Sequence, residues 1–172
     1  MTERALSLRP GAGAEAADAV LLPYEARWRR RGRLVTEAGR SVLLDLPEAM
    51  EFREGDALAL EGGGLVAVRA AAEPLAEVRA EGRALARIAW HVGNRHAPAQ
   101  VEAGRILIQR DHVMEDMLAH LGAEVRHVEE PFTPEGGAYG HGRTHSHHHG
   151  HDPDADPDAG LRAAAFENPY GE

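Results

Sequence analysis

The chain has 172 residues, with 19 Lys+Arg against 28 Asp+Glu, a formal net charge of −9 and a hydrophobic content of 43%. That length holds one domain or two small ones, and that apolar fraction sustains a packed core, so wholesale disorder is excluded. No stretch approaches the roughly 20 apolar residues of a bilayer span. The opening Met1-Thr2-Glu3-Arg4 has no signal-peptide h-region, and the acidic balance speaks against a general nucleic-acid binder; the expectation is a cytoplasmic protein with neither membrane nor nucleic acid as partner.

In chain order, residues 1–18 form a weakly apolar leader with Gly11 and Gly13, expected to be poorly ordered. Residues 19–72 read as a small all-β domain. Val20-Leu21-Leu22 precedes Pro23, and Arg33 to Thr36 and Ser41 to Leu46 flank the hairpin loop Glu37-Ala38-Gly39-Arg40. Ala57 to Leu60 and Leu65 to Val68 flank Gly62-Gly63-Gly64, with Pro47 and Gly55 bounding the connection between the two pairs. The run Tyr24-Glu25-Ala26-Arg27-Trp28-Arg29-Arg30-Arg31-Gly32-Arg33 is basic with interleaved aromatics; in an acidic chain it reads as a solvated strand edge or a protein-docking patch.

Residues 73–139 change texture. Leu75 to Arg79 alternates as a strand, and Leu85, Ile88 and Val92 recur at helical spacing up to a stop at Gly93-Asn94. Ala99 to Glu102 and Arg105 to Gln109 flank Ala103-Gly104 as a hairpin. Asp111 is an N-cap for a second helix whose apolar stripe is Val113, Met114, Met117, Leu118 and Leu121 and whose end is Gly122; Glu124 to Val128 then alternates again. The order β-α-β-β-α-β is ferredoxin-like, so the fold class is α+β: a small all-β domain, then a ferredoxin-like domain. Residues 140–172, rich in Gly, His and Asp, cannot bury enough apolar surface to order themselves and are expected to be a disordered, His-rich tail.

Candidate chemistry concentrates on histidine. His141, His145, His147, His148, His149 and His151 are six of the chain's 11 histidines, packed into 11 consecutive positions. Neutral imidazole suits nickel, copper and zinc, and a dense run offers many ligands without a fixed geometry. The interruptions at Gly142-Arg143-Thr144, Ser146 and Gly150 distinguish the run from a purification tag; a solvated polar tail is the alternative. His91 and His96 bracket the stop of the first helix, and each reads as a ligand or as a hydrogen-bonded structural histidine. His96 stands on an irregular connection that presents side chains outward. His112, Asp116 and His120 share one face of the second helix, as a chelating stripe or as its solvated side. Enzymatic constellations are poor: the chain has no cysteine and no lysine, and none of Ser7, Ser41 and Ser146 sits in a nucleophile elbow, so no enzyme is expected.

Taken as an ordered series, Leu22-Pro23-Tyr24-Glu25-Ala26-Arg27, the Leu46-Pro47 to Gly55-Asp56 stretch, His91-Val92-Gly93-Asn94-Arg95-His96-Ala97-Pro98, Asp111-His112-Val113 with Met117-Leu118 and Leu121-Gly122-Ala123, Pro131-Phe132-Thr133-Pro134-Glu135-Gly136-Gly137-Ala138-Tyr139 and the histidine tail resemble the UreE family of urease accessory nickel chaperones. The resemblance spans roughly Val20 to His151. It implies an N-terminal domain similar to a peptide-binding module and a ferredoxin-like domain that forms a homodimer and binds nickel(II), with zinc(II) or copper(II) as competing ions. It also implies delivery of nickel to apo-urease together with the accessory GTPase UreG. It places His96 at the dimer interface opposite its symmetry mate, with tail histidines completing the coordination, and a peripheral site at Asp111 and His112. Some relatives carry a histidine just before that aspartate; here Arg110 stands there, and a guanidinium cannot ligate a cation. The alternative reading is a general histidine-rich store for divalent metals. Either way, affinity should fall through mildly acidic pH, because an ordinary imidazole loses its proton only near about 6.5.

Overall fold

The computed structural model describes residues 3–136. The tail histidines from His141 to His151 therefore lie outside the described residues.

The first correction comes at the start of the chain. Glu3–Arg9, expected within a poorly ordered leader, is strand β1. It sits inside a six-stranded sheet, parallel to β4 (Ser41–Glu51) on one side and antiparallel to β5 (Ala57–Leu60) on the other. β2 (Ala19–Leu22), β3 (Trp28–Val35) and β6 (Leu65–Ala70) complete the order β2-β6-β5-β1-β4-β3. Inward side chains alternate as the pleat requires: Ala5, Val20, Val42, Leu44, Leu46, Phe52, Leu58, Val66 and Val68 form one buried cluster. The basic run, read as a solvated strand edge or a docking patch, forms a 3-10 turn over Tyr24–Arg27 and then β3, which is an edge strand of the sheet. β4 also runs further than expected, through Pro47 to Glu51.

The second unit is built as the sequence predicts: β7 (Ala72–Arg79), α1 (Arg83–Gly93), β8 (Ala99–Val101), β9 (Ile106–Gln109), α2 (His112–His120) and β10 (Glu124–Pro131). Its sheet order is β10-β7-β9-β8, antiparallel throughout, the ferredoxin-like arrangement. On one face Ala76, Val78, Ile106 and Ile108 meet Ile88 and Val92 of α1 and Met114 and Leu118 of α2, all buried. The i, i+4 spacing of each helical pair places both residues on one side of its helix.

The opposite face of this sheet is covered differently. Leu75, Leu107 and Phe132 form a small buried cluster with Tyr24 and Val128 against it. Phe132 is fully buried. Its ring meets Tyr24 edge to face at 5.5 Å, and its carbonyl accepts a hydrogen bond from the Arg27 guanidinium. Glu73 accepts from the Tyr24 backbone N–H at 2.6 Å. Beyond the cluster, Arg105 is clasped by three carboxylates, Glu102, Glu77 and Glu130, at 2.7–2.8 Å. Glu77, buried and bonded first to Arg79 and then to Arg105, has its carboxyl pKa pulled down to about 2 despite the opposing effect of burial.

Candidate metal centre

Helix α1 ends at Gly93 with Asn94 as its C-cap, where the sequence places the stop. Gly93 is still helical, and the last turn closes through Arg95 N–H to the Val92 carbonyl (3.1 Å) and His96 N–H to the Gly93 carbonyl (2.9 Å). The left-handed residue that reverses the chain is His96, at φ +54°, the sole non-glycine residue with positive φ among the described residues. This conformation suits glycine and is costly for a side chain. It throws the His96 imidazole outward, and the residue is exposed. Nearby in sequence, Trp90 is 63% exposed and Val101 47%. His91 is half-buried, its ring edge to face with Trp90 at 5.0 Å.

The start of α2 is organised by hydrogen bonds rather than left open. Oδ1 of Asp111 accepts from the N–H groups of Val113 (2.9 Å) and Met114 (3.1 Å), the N-cap that the sequence predicts. Glu115 lies at the centre of a second set: it accepts from Arg110 at 2.7 Å and from the Asp111 N–H at 3.2 Å, and lies 2.8 Å from Nε2 of His127. Burial acts to raise the Glu115 carboxyl, but the bonds to Arg110 and His127 outweigh it and hold the pKa below the ordinary value. His112 is exposed in the first turn, and Asp116 and His120 are exposed further along, with His120 Nδ1 at 2.7 Å from the Asp116 carbonyl.

His127 is the residue that sequence reasoning passed over. The signal was there in the alternation of β10, which places it beside Ala76 on the helix-covered side of the sheet. Among the described residues, no three or more His, Asp or Glu side chains converge in a geometry that holds a metal ion. His91, His96, Asp111 and His112 are thus not gathered into one site within a single subunit.

The segment after β10 gives the chain's exit a defined place. Thr133 N–H donates to Oε1 of Gln100 at 2.7 Å, and Glu135 N–H donates to the Ala99 carbonyl at 2.8 Å. With Phe132 buried, this strap crosses the sheet face to β8, three residues from His96. Thr133 and Gly136 also wall a cleft of about 400 Å³ whose other side is Tyr24, Arg27, Glu51 and Arg53.

Comparison with known proteins adds a consistent result. The family models for the N-terminal and C-terminal domains of the UreE urease accessory protein match residues 3–71 and 73–156. The chain is 58% identical over 127 residues to the urease accessory protein UreE of Ruegeria sp. (strain TM1040), covering 74% of this chain and 71% of the relative. Against the protein of that name from Ruegeria pomeroyi, identity is 54% over 136 residues, 79% of this chain and 90% of the relative. Against that from Rhodobacter capsulatus it is 51% over 145 residues, 84% and 91% respectively.

Proposed function

The chain belongs to the UreE urease accessory protein family, which ties it to urease maturation, and from that premise we propose that it carries nickel(II) to apo-urease. It acts as a homodimer in the cytoplasm, and the His96 side chains of two subunits meet across a two-fold axis to share one ion. Symmetry turns one ligand into two, so an outward imidazole that is no site by itself becomes half of one. The observation that carries this reading is the setting of His96: exposed on a strained left-handed turn, with the exposed apolar residues Trp90 and Val101 before and after it in sequence.

The strap supports a share for the tail histidines. Glu135 is bonded to Ala99, three residues from His96. His141 follows Gly136 by five residues, and five extended residues reach up to about 18 Å. An ion held by two fixed imidazoles keeps coordination positions for incoming tail ligands, and withdrawing those ligands opens the ion to the recipient, with UreG as the partner in hand-over. Zinc(II) and copper(II) compete, since imidazole does not reject them.

The test is calorimetric titration of the full-length protein with nickel and zinc in competition, wild type against His96→Ala, with the mass in solution measured in parallel. The expected result is loss of the tightest nickel event in His96→Ala, and retention of that event with fewer ions bound when residues 140–172 are deleted. Nickel binding by His96→Ala equal to wild type refutes the site. A protein that binds nickel as described but transfers none to apo-urease is a metal store and not a carrier.

A further inference from the structure

Strand β3 concentrates positive charge in an acidic chain. Arg29, Arg30, Arg31 and Arg33 lie on it within five residues, and the strand forms an edge of the six-stranded sheet. Arg31 pairs with Asp45 at 2.8 Å, but Asp45 is already held by Arg4 at 2.6 Å. Arg30 donates to the Leu46 carbonyl (3.3 Å) and Arg33 to Ser41 Oγ (2.8 Å). Among the described residues, no carboxylate forms an ion pair with Arg29, Arg30 or Arg33.

We infer that this strand is the docking site of the chain's own acidic segment Asp152 to Asp158, which lies outside the described residues. The sequence Asp152-Pro153-Asp154-Ala155-Asp156-Pro157-Asp158 places a carboxylate at every second position. In extended backbone, residues i and i+2 project to one side about 6.6 Å apart. Arg31, which shares Asp45 with Arg4, and Arg33, bonded to Ser41 Oγ, stand at that spacing on β3, while a register shift sets Arg29 off; the two arrays oppose in sign along the strand and match in period over its second half. Pro153 and Pro157 have no N–H to give to a β-ladder, so recognition runs through side chains.

Connectivity fits. The chain leaves the described region at Gly136, in the cleft whose opposite wall includes Glu51, the β4 partner of Trp28 at the beginning of β3. Asp152 follows Gly136 by sixteen residues, enough to span up to roughly 55 Å, about twice the length of an eight-residue strand. Tethering raises the local concentration of the segment into the millimolar range, so weak ion pairs suffice. Docking at both ends brackets the six tail histidines between the β8 edge and β3.

The experiment uses the cysteine-free chain at full length. Ala159→Cys places a single thiol just beyond the acidic array; a nitroxide there broadens amide signals of residues close to it. The expected result, at about 0.01 M salt where screening extends to about 30 Å, is selective broadening over Trp28–Val35. It should disappear at about 1 M salt and when Asp152, Asp154, Asp156 and Asp158 are all changed to Asn. Arg29→Gln with Arg30→Gln, Arg31→Gln and Arg33→Gln should remove it equally. Broadening that misses β3 or survives the Asn substitutions overturns the proposal. So does broadening seen when the label and the observed amides are on different chains, which assigns β3 to a second copy.

Discussion

Replacing His96 by glycine separates the two demands on that position. At φ +54° an L-residue carries a backbone penalty of about 1–2 kcal/mol that glycine escapes. Glycine loses back about 0.5–1 kcal/mol through the greater freedom of its unfolded chain. The imidazole is exposed, so its removal leaves no cavity. His96→Gly should therefore match or exceed wild type in stability, by up to about 1 kcal/mol, or about 2–4 °C in Tm for a chain of this size. His96→Ala keeps the strained backbone and gains nothing. Thermal unfolding in chelator-treated buffer, followed by circular dichroism, reads the order of the three proteins, and nickel titration of the same samples should show the tightest event lost in both variants. A glycine variant less stable than the alanine variant refutes the left-handed turn. A glycine variant that binds nickel like wild type refutes the imidazole as ligand.

Asp111→Ala removes the acceptor for two helix N–H groups and should cost about 1 kcal/mol in urea unfolding. Phe132→Ala empties the buried position between Leu75, Leu107 and Tyr24 and should cost about 3–5 kcal/mol by the same measurement. Glu77, with its carboxyl held down to about 2 against an ordinary 4.5, contributes stability that is fully present above pH 4.5 and lost as pH falls toward 2. Acid titration of unfolding should show a decline across that window, flattened in Glu77→Gln; an unchanged slope refutes the Arg79 and Arg105 pairing as its source.

The ferredoxin-like unit was legible because its cues are local. Ile88 and Val92 announce a helical face, Asp111 a cap, Gly122 a stop. β1 was not, because its alternation is broken: Ala5 is buried, but Ser7 two positions on is exposed while Leu8 packs on the core, across a register shift between Ala5 and Ser7. The basic run could be read as a strand edge because an edge strand with one solvated face tolerates charge that a central strand does not; only the start of β3 at Trp28 rather than Arg33 escaped the pattern. At the candidate site, the loop and His96 could be read from residue types. The left-handed turn could not, since the helix stops at Gly93-Asn94 as expected and nothing in the residue types marks His96, two positions on, for a positive φ. The contact between Glu115 and His127 joins residues 12 apart on different elements, beyond the reach of any periodic pattern.

The position of β1 between β4 and β5 sets which end of the polypeptide tolerates surgery. Removing residues 3–9 would not fray a margin; it would pull out a central plank and leave two neighbours facing an empty slot, each with a row of unanswered amides and carbonyls. Purification handles and fusions belong at the far terminus or on a long spacer, and proteases that nibble the amino end should inactivate the six-stranded half long before they reach a histidine.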